Sequence, residues 1–352
     1  MKVITARNVN EAYHLGLGLL HRDGVLQSSR AGDVFVINSP VTTAYMSPTE
    51  RVLFAARRDA NPFFHLMESL WMLAGRNDAT WLDNFVSSFS KRFAENGGLQ
   101  HGAYGFRWRN HFILDSCNEE DAIDGVDIEF DQLERVIRLL RQNHLDRRIV
   151  LQMWDPEVDL GIDVKDVPCN ICALPRINQG NLDLTVFCRS NDAIWGAYGA
   201  NAVHFSVLQE YMAARIGVRV GTYYQISNNF HAYVEVMKKH YSPNDDMIDP
   251  YCEGTATPLN LVDDPETFDT DLKAFFDECS GTIRNDSHQY RNMFFERVAL
   301  PMFYSYQAWR EGNRDLAYDH IFNMPFGNDW RGACLDWYNR RNYRRLLAEA
   351  VL

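Results

Sequence analysis

With 352 residues, 46% hydrophobic and 23% charged, the chain can bury a large core, has the composition of an ordinary soluble domain, and carries no run of about 18 apolar residues that would span a membrane. Its net charge of −12 excludes sequence-independent binding to duplex DNA, which needs a broad basic surface, so any anionic ligand must be held locally and no nucleic acid polymer is expected as a partner. The seven cysteines (Cys117, Cys169, Cys172, Cys188, Cys252, Cys279, Cys334) are an odd number scattered over a long chain and read as reduced thiols, and no apolar export segment follows Met1, which gives a cytoplasmic expectation.

In chain order, Glu11 to Leu20 has helical spacing of apolar residues, and Ala31 to Ile37 reads as a strand after a Ser28-Ser29-Arg30 turn. Asn61-Pro62 opens a helix, Phe63 to Leu73, that ends at Gly75. Phe130 to Asn143 is helical, and Arg148 to Trp154 is a strand broken by Asp155-Pro156. Ile171 to Ile177 and Leu182 to Cys188 flank Asn178-Gln179-Gly180-Asn181, a hairpin signal. Ala202 to Ile216 is a helix stopped by Gly217, followed by a strand over Val218 to Ile226. Beyond residue 243 the acidic stretch Asp263 to Asp271 reads as loop around further helices. The sum is an α+β fold, a mixed sheet packed by helices, with 1–243 as the catalytic part and 244–352 as a mainly helical extension.

Four features carry chemistry. Cys169, just after Pro168, can act as a soft nucleophile if a cation lowers its pKa, and Arg189 lies where a returning strand could supply one. Cys169 and Cys172 form a Cys-x-x-Cys pair, but no second pair or histidine cluster stands at ligand spacing, so no metal is expected, and on a regular strand the two would face opposite ways. Glu68, amid Leu66, Met67, Leu70 and Trp71, is either a buried proton-handling carboxyl or the wet edge of its helix. Arg30, Arg147 and Arg148 suit phosphate or solvent, and His231 and Tyr233, two apart, face one side if extended and could share a sugar hydroxyl.

The order of these motifs resembles the thymidylate synthase superfamily, folate-dependent enzymes that alkylate C5 of a pyrimidine nucleoside monophosphate. The resemblance runs from about residue 15 to 240 through Ser29-Arg30-Ala31-Gly32, the helix with Glu68, Trp81, Ala103-Tyr104-Gly105 with Trp108, Asp146-Arg147-Arg148-Ile149, Pro168-Cys169, Arg189-Ser190-Asn191-Asp192 and His231-Ala232-Tyr233. It implies that Cys169 adds to C6 of the base, that Arg30, Arg189 and Ser190 bind the phosphate, and that Arg147 and Arg148 are lent to it by the partner subunit of a homodimer. It further implies that Glu68 organises water and protons at C5, that Tyr104 belongs to the proton-transfer network, that Trp81 and Asp192 contact the folate, and that His231 and Tyr233 hold the 3′-hydroxyl. The co-substrate implied is 5,10-methylenetetrahydrofolate.

This chain departs from the synthases in two places. Asn170 stands where they have a histidine after the cysteine, and Trp195-Gly196-Ala197-Tyr198-Gly199-Ala200-Asn201 is one residue longer than their loop, so the base-reading asparagine matches Asn201 only across a gap; without the gap Ala200 falls there. Phage deoxycytidylate hydroxymethylases look more similar in this region. The resulting expectation is hydroxymethylation at C5 of a deoxynucleotide, dCMP ahead of dUMP, in the cytoplasm of a host if the chain is phage-encoded. Reductive methylation of dUMP is the alternative; a retired fold that only binds nucleotide or RNA and a Cys-x-x-Cys oxidoreductase are the rivals.

Overall fold

The computed structural model describes residues 1–95, 97–114, 128–247, 249–284 and 287–350; Cys117 and the terminal Val351-Leu352 lie outside the described residues. Six strands form the main sheet in the order Lys2–Ala6, Val41–Tyr45, Arg219–Ser227, Asn181–Cys188, Asn170–Asn178, Leu151–Gln152, with parallel and antiparallel pairs mixed. The hairpin at its heart turns on Gln179 and Gly180, both at positive φ (50° and 75°), the two-residue turn whose twist suits antiparallel strands. The buried face of the sheet presents Ala173, Leu184, Val186 and Tyr223 toward the nearly all-buried helix Asn201–Ile216. On the other face Leu174, Thr185, Phe187, Tyr224 and Ile226 stay half-exposed.

A second sheet, in the order Asn191–Asp192, Phe230–Tyr233, Gly32–Val36, Val25–Ser29, is fed by two strands that leave the first together: the Asn228 amide donates to Cys188 and the Asn191 amide to Asn229. That junction brings Arg189 to Asp192 beside His231. The strand Val25–Ser29, which the sequence reading treats as part of a turn, is an exposed edge with no buried face for periodicity to mark. The predicted strand at Arg148 shrinks to Leu151–Gln152, because the Asp146 carboxylate accepts the Arg148 amide (3.0 Å) and holds the preceding residues in a turn.

The helix Pro62–Leu73 is capped by Asn61, whose side chain accepts the Phe64 amide, and ends before Gly75 at φ 69°. It is buried on nearly every side because the C-terminal segment packs over it: Phe63 meets Tyr306, Trp337 and Tyr338 at ring-centroid distances of 4.9, 5.4 and 5.5 Å. That segment contains the helices Phe268–Cys279, Leu300–Arg310, Arg314–Phe322 and Asp329–Ala350; the first begins inside the acidic stretch read as loop, with Asp269 and Asp271 in its first turn, where carboxylates favour helix. Among the described residues no helix is long and apolar enough to cross a membrane.

Asp329, at the start of the last of these helices, is fully enclosed and accepts hydrogen bonds from the Tyr251 hydroxyl (2.7 Å) and the Trp330 amide. Burial raises its pKa to about 6. The folded state therefore binds this proton more tightly than the unfolded chain does, so the contribution to stability is full below the ordinary carboxyl pKa and declines as pH rises toward about 6. Asp329→Asn is expected to gain on the wild type in urea midpoint between pH 4.5 and pH 7; a difference that stays constant with pH counts against it.

Candidate active site

His65 and Glu68 lie one turn apart on the Pro62–Leu73 helix, both buried. Burial, reinforced by Arg58 and His204, pushes the His65 imidazole well below its usual pKa, so it stays neutral. Glu68 Oε2 comes within 2.9 Å of His204 Nε2, yet the angle is not that of a hydrogen bond, and neither that oxygen nor either ring nitrogen of His204 has a partner in the protein. Of the two readings of Glu68, the structure gives the buried one.

Cys169 sits half-buried at the end of a loop that enters the strand Asn170–Asn178. The Tyr104 hydroxyl accepts both the Cys169 and Asn170 amides (3.2 and 3.3 Å), while Arg189 donates from Nε to the Pro168 carbonyl and from Nη2 to that of Val167 (2.8 and 2.9 Å). Arg189 thus shapes the loop as well as lying near the thiol. It does not win the electrostatic contest alone: burial raises the thiol pKa, Arg189 lowers it, Asp166 raises it, and the net direction is upward. A register shift between Asn170 and Cys172 interrupts the strand, so the period-two argument about Cys169 and Cys172 does not carry across it.

Behind the thiol runs a chain of amides. Asn170 Nδ2 donates to Asn201 Oδ1 (3.2 Å), Asn201 Nδ2 to Asn191 Oδ1 (3.1 Å), and Asn191 Nδ2 to Gln225 Oε1 and Ser227 Oγ (2.8 and 2.9 Å); Gln225 in turn donates to Tyr223. The surplus residue noted in the sequence is absorbed by a π-helical turn, Ala193–Ala200, whose wider i to i+5 bonding ends with the Asn201 amide on the Gly196 carbonyl. That turn, and not a loop, puts Asn201 into the network.

Beside this network opens a cavity of about 610 Å³ lined by Phe64, Glu68, Phe89, Gln100, Asp166 and Trp195, with Ala200 at its wall. Buried Arg58 lies over the Trp195 ring (4.2 Å to the centroid) with its pKa lowered to about 10 by burial. Asp192 Oδ1 caps the π turn by accepting the Ile194 and Trp195 amides, leaving Oδ2 buried with no partner in the protein. An unsatisfied carboxylate oxygen beside an aromatic-walled cavity fits a planar heterocycle carrying N–H donors, as a reduced pterin does.

Several of the other expected site residues lie apart from this centre. Trp81 is covered by Phe276 of the C-terminal segment (4.9 Å between centroids) and does not line the cavity, where the half-exposed indole is Trp195. Arg30 is exposed in the hairpin turn between Val25–Ser29 and Gly32–Val36, and Arg147 and Arg148 are exposed, Arg148 pairing with Asp146. Ser190 is half-buried beside Arg189. His231 and Tyr233 do share a face, 5.7 Å between ring centroids. Sequence reasoning missed Asp166, Gln100, His204 and Arg58. Of these only His204, one helical turn after Asn201, carried a signal in its spacing.

Thymidylate synthase as a family matches residues 32–261. Over 97% of the chain, the protein is 45% identical to a deoxyuridylate hydroxymethyltransferase of Pseudomonas phage M6, covering 95% of that protein. A deoxyuridylate hydroxymethyltransferase of Bacillus phage SP01 is 36% identical over 56% of this chain and half of its own length, and one of Delftia phage PhiW-14 is 26% identical over 66% of this chain and 62% of its own. An α+β fold with these matches defines an enzyme of the one-carbon transferase class. The chain belongs to the thymidylate synthase family.

Proposed function

We propose that this enzyme hydroxymethylates C5 of dUMP, using methylenetetrahydrofolate, through a covalent bond between Cys169 and C6 of the base. The observation that carries the reading is the junction of thiol and amide network: Cys169 adjoins Asn170, which hydrogen-bonds Asn201, so a ring anchored over the sulfur has its polar edge against an amide. The phage M6 and SP01 relatives are deoxyuridylate hydroxymethyltransferases, which supports uracil, and dUMP therefore replaces the dCMP preference drawn from the sequence. Addition of the thiolate at C6 makes C5 nucleophilic, and protein groups then handle the protons, Glu68 with His204 at C5 and Tyr104 in the same transfer network, its hydroxyl also fixing the Cys169 loop. The folate supplies a one-carbon unit at the oxidation level of formaldehyde. Its ring is assigned to Asp192 and, in place of Trp81, to Trp195 with Phe64.

Arg189 and Ser190 are assigned to the phosphate together with Arg30, and His231 and Tyr233 to the 3′-hydroxyl. The half-exposed apolar face of the six-stranded sheet supports a homodimer, in which the exposed Arg147 and Arg148 would reach the partner's phosphate site. Residues 1–243 are read as the catalytic part, 244–352 as the helical layer that braces it, and the cytoplasm as its place of action.

Incubation with dUMP and with dCMP, each with methylenetetrahydrofolate, followed by mass analysis of the nucleotide, tests this. The expected result is a hydroxymethyl product, with kcat/KM for dUMP roughly 100-fold or more above that for dCMP. A methyl product with stoichiometric dihydrofolate overturns the hydroxymethylase reading in favour of reductive methylation.

A further inference from the structure

Hydration of the one-carbon unit needs a base that the steps above do not name. Glu68, 2.9 Å from His204, is assigned above to the protons at C5. The same cavity holds a second carboxylate, Asp166, three residues ahead of the thiol, whose charge is felt by Cys169 and which itself feels that of Glu68. Gln100 donates from Nε2 to Asp166 Oδ2 (2.7 Å), and the Gly102 amide also donates to this carboxylate. Gly102 permits that closeness, since a Cβ there would fall 2.9 Å from both Asp166 Oδ2 and its carbonyl oxygen.

The surroundings are built for a small polar reactant. Glu68, nine-tenths buried, lines the cavity with Oε2 making no hydrogen bond within the protein, and Gln100, which lines it too, has its Oε1 buried and likewise without a hydrogen bond. Two buried oxygens without hydrogen bonds, close to the Asp166 carboxylate on the wall of an otherwise largely apolar cavity, mark a place where a single water would complete their bonding. A cavity meant only to shield a hydride transfer would gain from apolar walls at this point. Burial, with Glu68 adding, holds Asp166 above the ordinary carboxylate range, which suits a group that must take a proton near neutral pH.

We propose that Asp166, positioned by Gln100 and the Gly102 amide, is the catalytic base that activates the water added to the exocyclic methylene of the nucleotide, and so directs the enzyme to a hydroxymethyl product; this rests on the functional reading above. A proton passes from water to the Asp166 carboxylate as the oxygen bonds to the methylene carbon. The methylene π pair moves into the ring as an enolate. That pair then forms C5=C6 while the C6–S bond breaks with its electrons on Cys169, and Asp166 releases its proton to solvent. No oxidant or reductant is consumed.

Reversal of this step needs no folate, which provides the test. 5-Hydroxymethyl-dUMP incubated with the enzyme in ¹⁸O-water should exchange its hydroxyl oxygen, read by mass spectrometry. Asp166→Asn is expected to slow that exchange by roughly 100-fold or more while forming the Cys169 adduct with 5-fluoro-dUMP to within about threefold of the wild type, and Asp166→Glu to recover part of the exchange. Exchange by Asp166→Asn at the wild-type rate overturns the proposal, as does parallel loss of exchange and adduct, which would assign Asp166 to the thiol. A wild-type enzyme that makes hydroxymethyl nucleotide but exchanges no oxygen also overturns it. Failure of the wild type to make any hydroxymethyl nucleotide removes the functional reading itself.

Discussion

Cys169→Ala is expected to lower turnover by roughly 10⁴-fold or more while leaving dUMP affinity within about threefold. The expectation follows from the chemistry: without a sulfur on C6, C5 remains a poor nucleophile however well the base and folate are held. It follows also from the placement of that side chain, whose hydrogen bond is a long one, Sγ to the Val167 carbonyl at 4.0 Å. Tyr104 and Arg189 hold the loop through the amides of Cys169 and Asn170 and the carbonyls of Val167 and Pro168, so the loop should survive loss of the thiol. Single-turnover assays beside calorimetric titration of dUMP separate the two effects. Turnover retained within tenfold would falsify the covalent route and return the chain to the class of nucleotide binders. Cys172→Ser, by contrast, should leave turnover near the wild-type level; if it does not, a dithiol mechanism re-enters.

The second large effect concerns the base. Asn201→Asp is expected to lower kcat/KM for dUMP by roughly 10³-fold and to raise the dCMP to dUMP ratio by a similar factor. A carboxyl that keeps its proton would present a donor to N3 of cytosine and an acceptor to its amino group, whereas under the proposed function the amide would serve O4 and N3–H of uracil. The cost is predictable in place: Asn201 Nδ2 now donates to Asn191 Oδ1, and an oxygen there would face an oxygen unless Asn191, Gln225 and Tyr223 reorganise together. Steady-state kinetics on both nucleotides, with thermal melting to register that cost, decide the matter. An unchanged dCMP to dUMP ratio would show that another residue reads the base.

The hairpin and the principal helix boundaries were legible because their signals are local: Gln179-Gly180 between two apolar runs, Asn61-Pro62 ahead of one, Gly217 behind another. Glu68 was undecidable from spacing, since its helix is enclosed on nearly all sides and periodicity marks no wet edge. His204 escaped because its meaning lies in a carboxylate on a different helix. Asp166 drew no notice in the sequence, since only the folded chain brings it to the wall of a cavity. Trp81 carried its family role in sequence, but the aromatic ring that covers it, Phe276, comes from the part of the chain the resemblance does not reach.

The π-helical turn at Ala193–Ala200 has a further effect on what the pocket can be. Successive residues of a regular helix point about 100° apart, so one extra residue in ordinary winding would swing every later side chain on the Asn201–Ile216 helix by that angle and undo its packing. Widening one turn confines the disturbance to a few residues. The long helix keeps its phase, and Asn201 reaches Asn170 and Asn191 while Ala200 stays at the wall of the cavity.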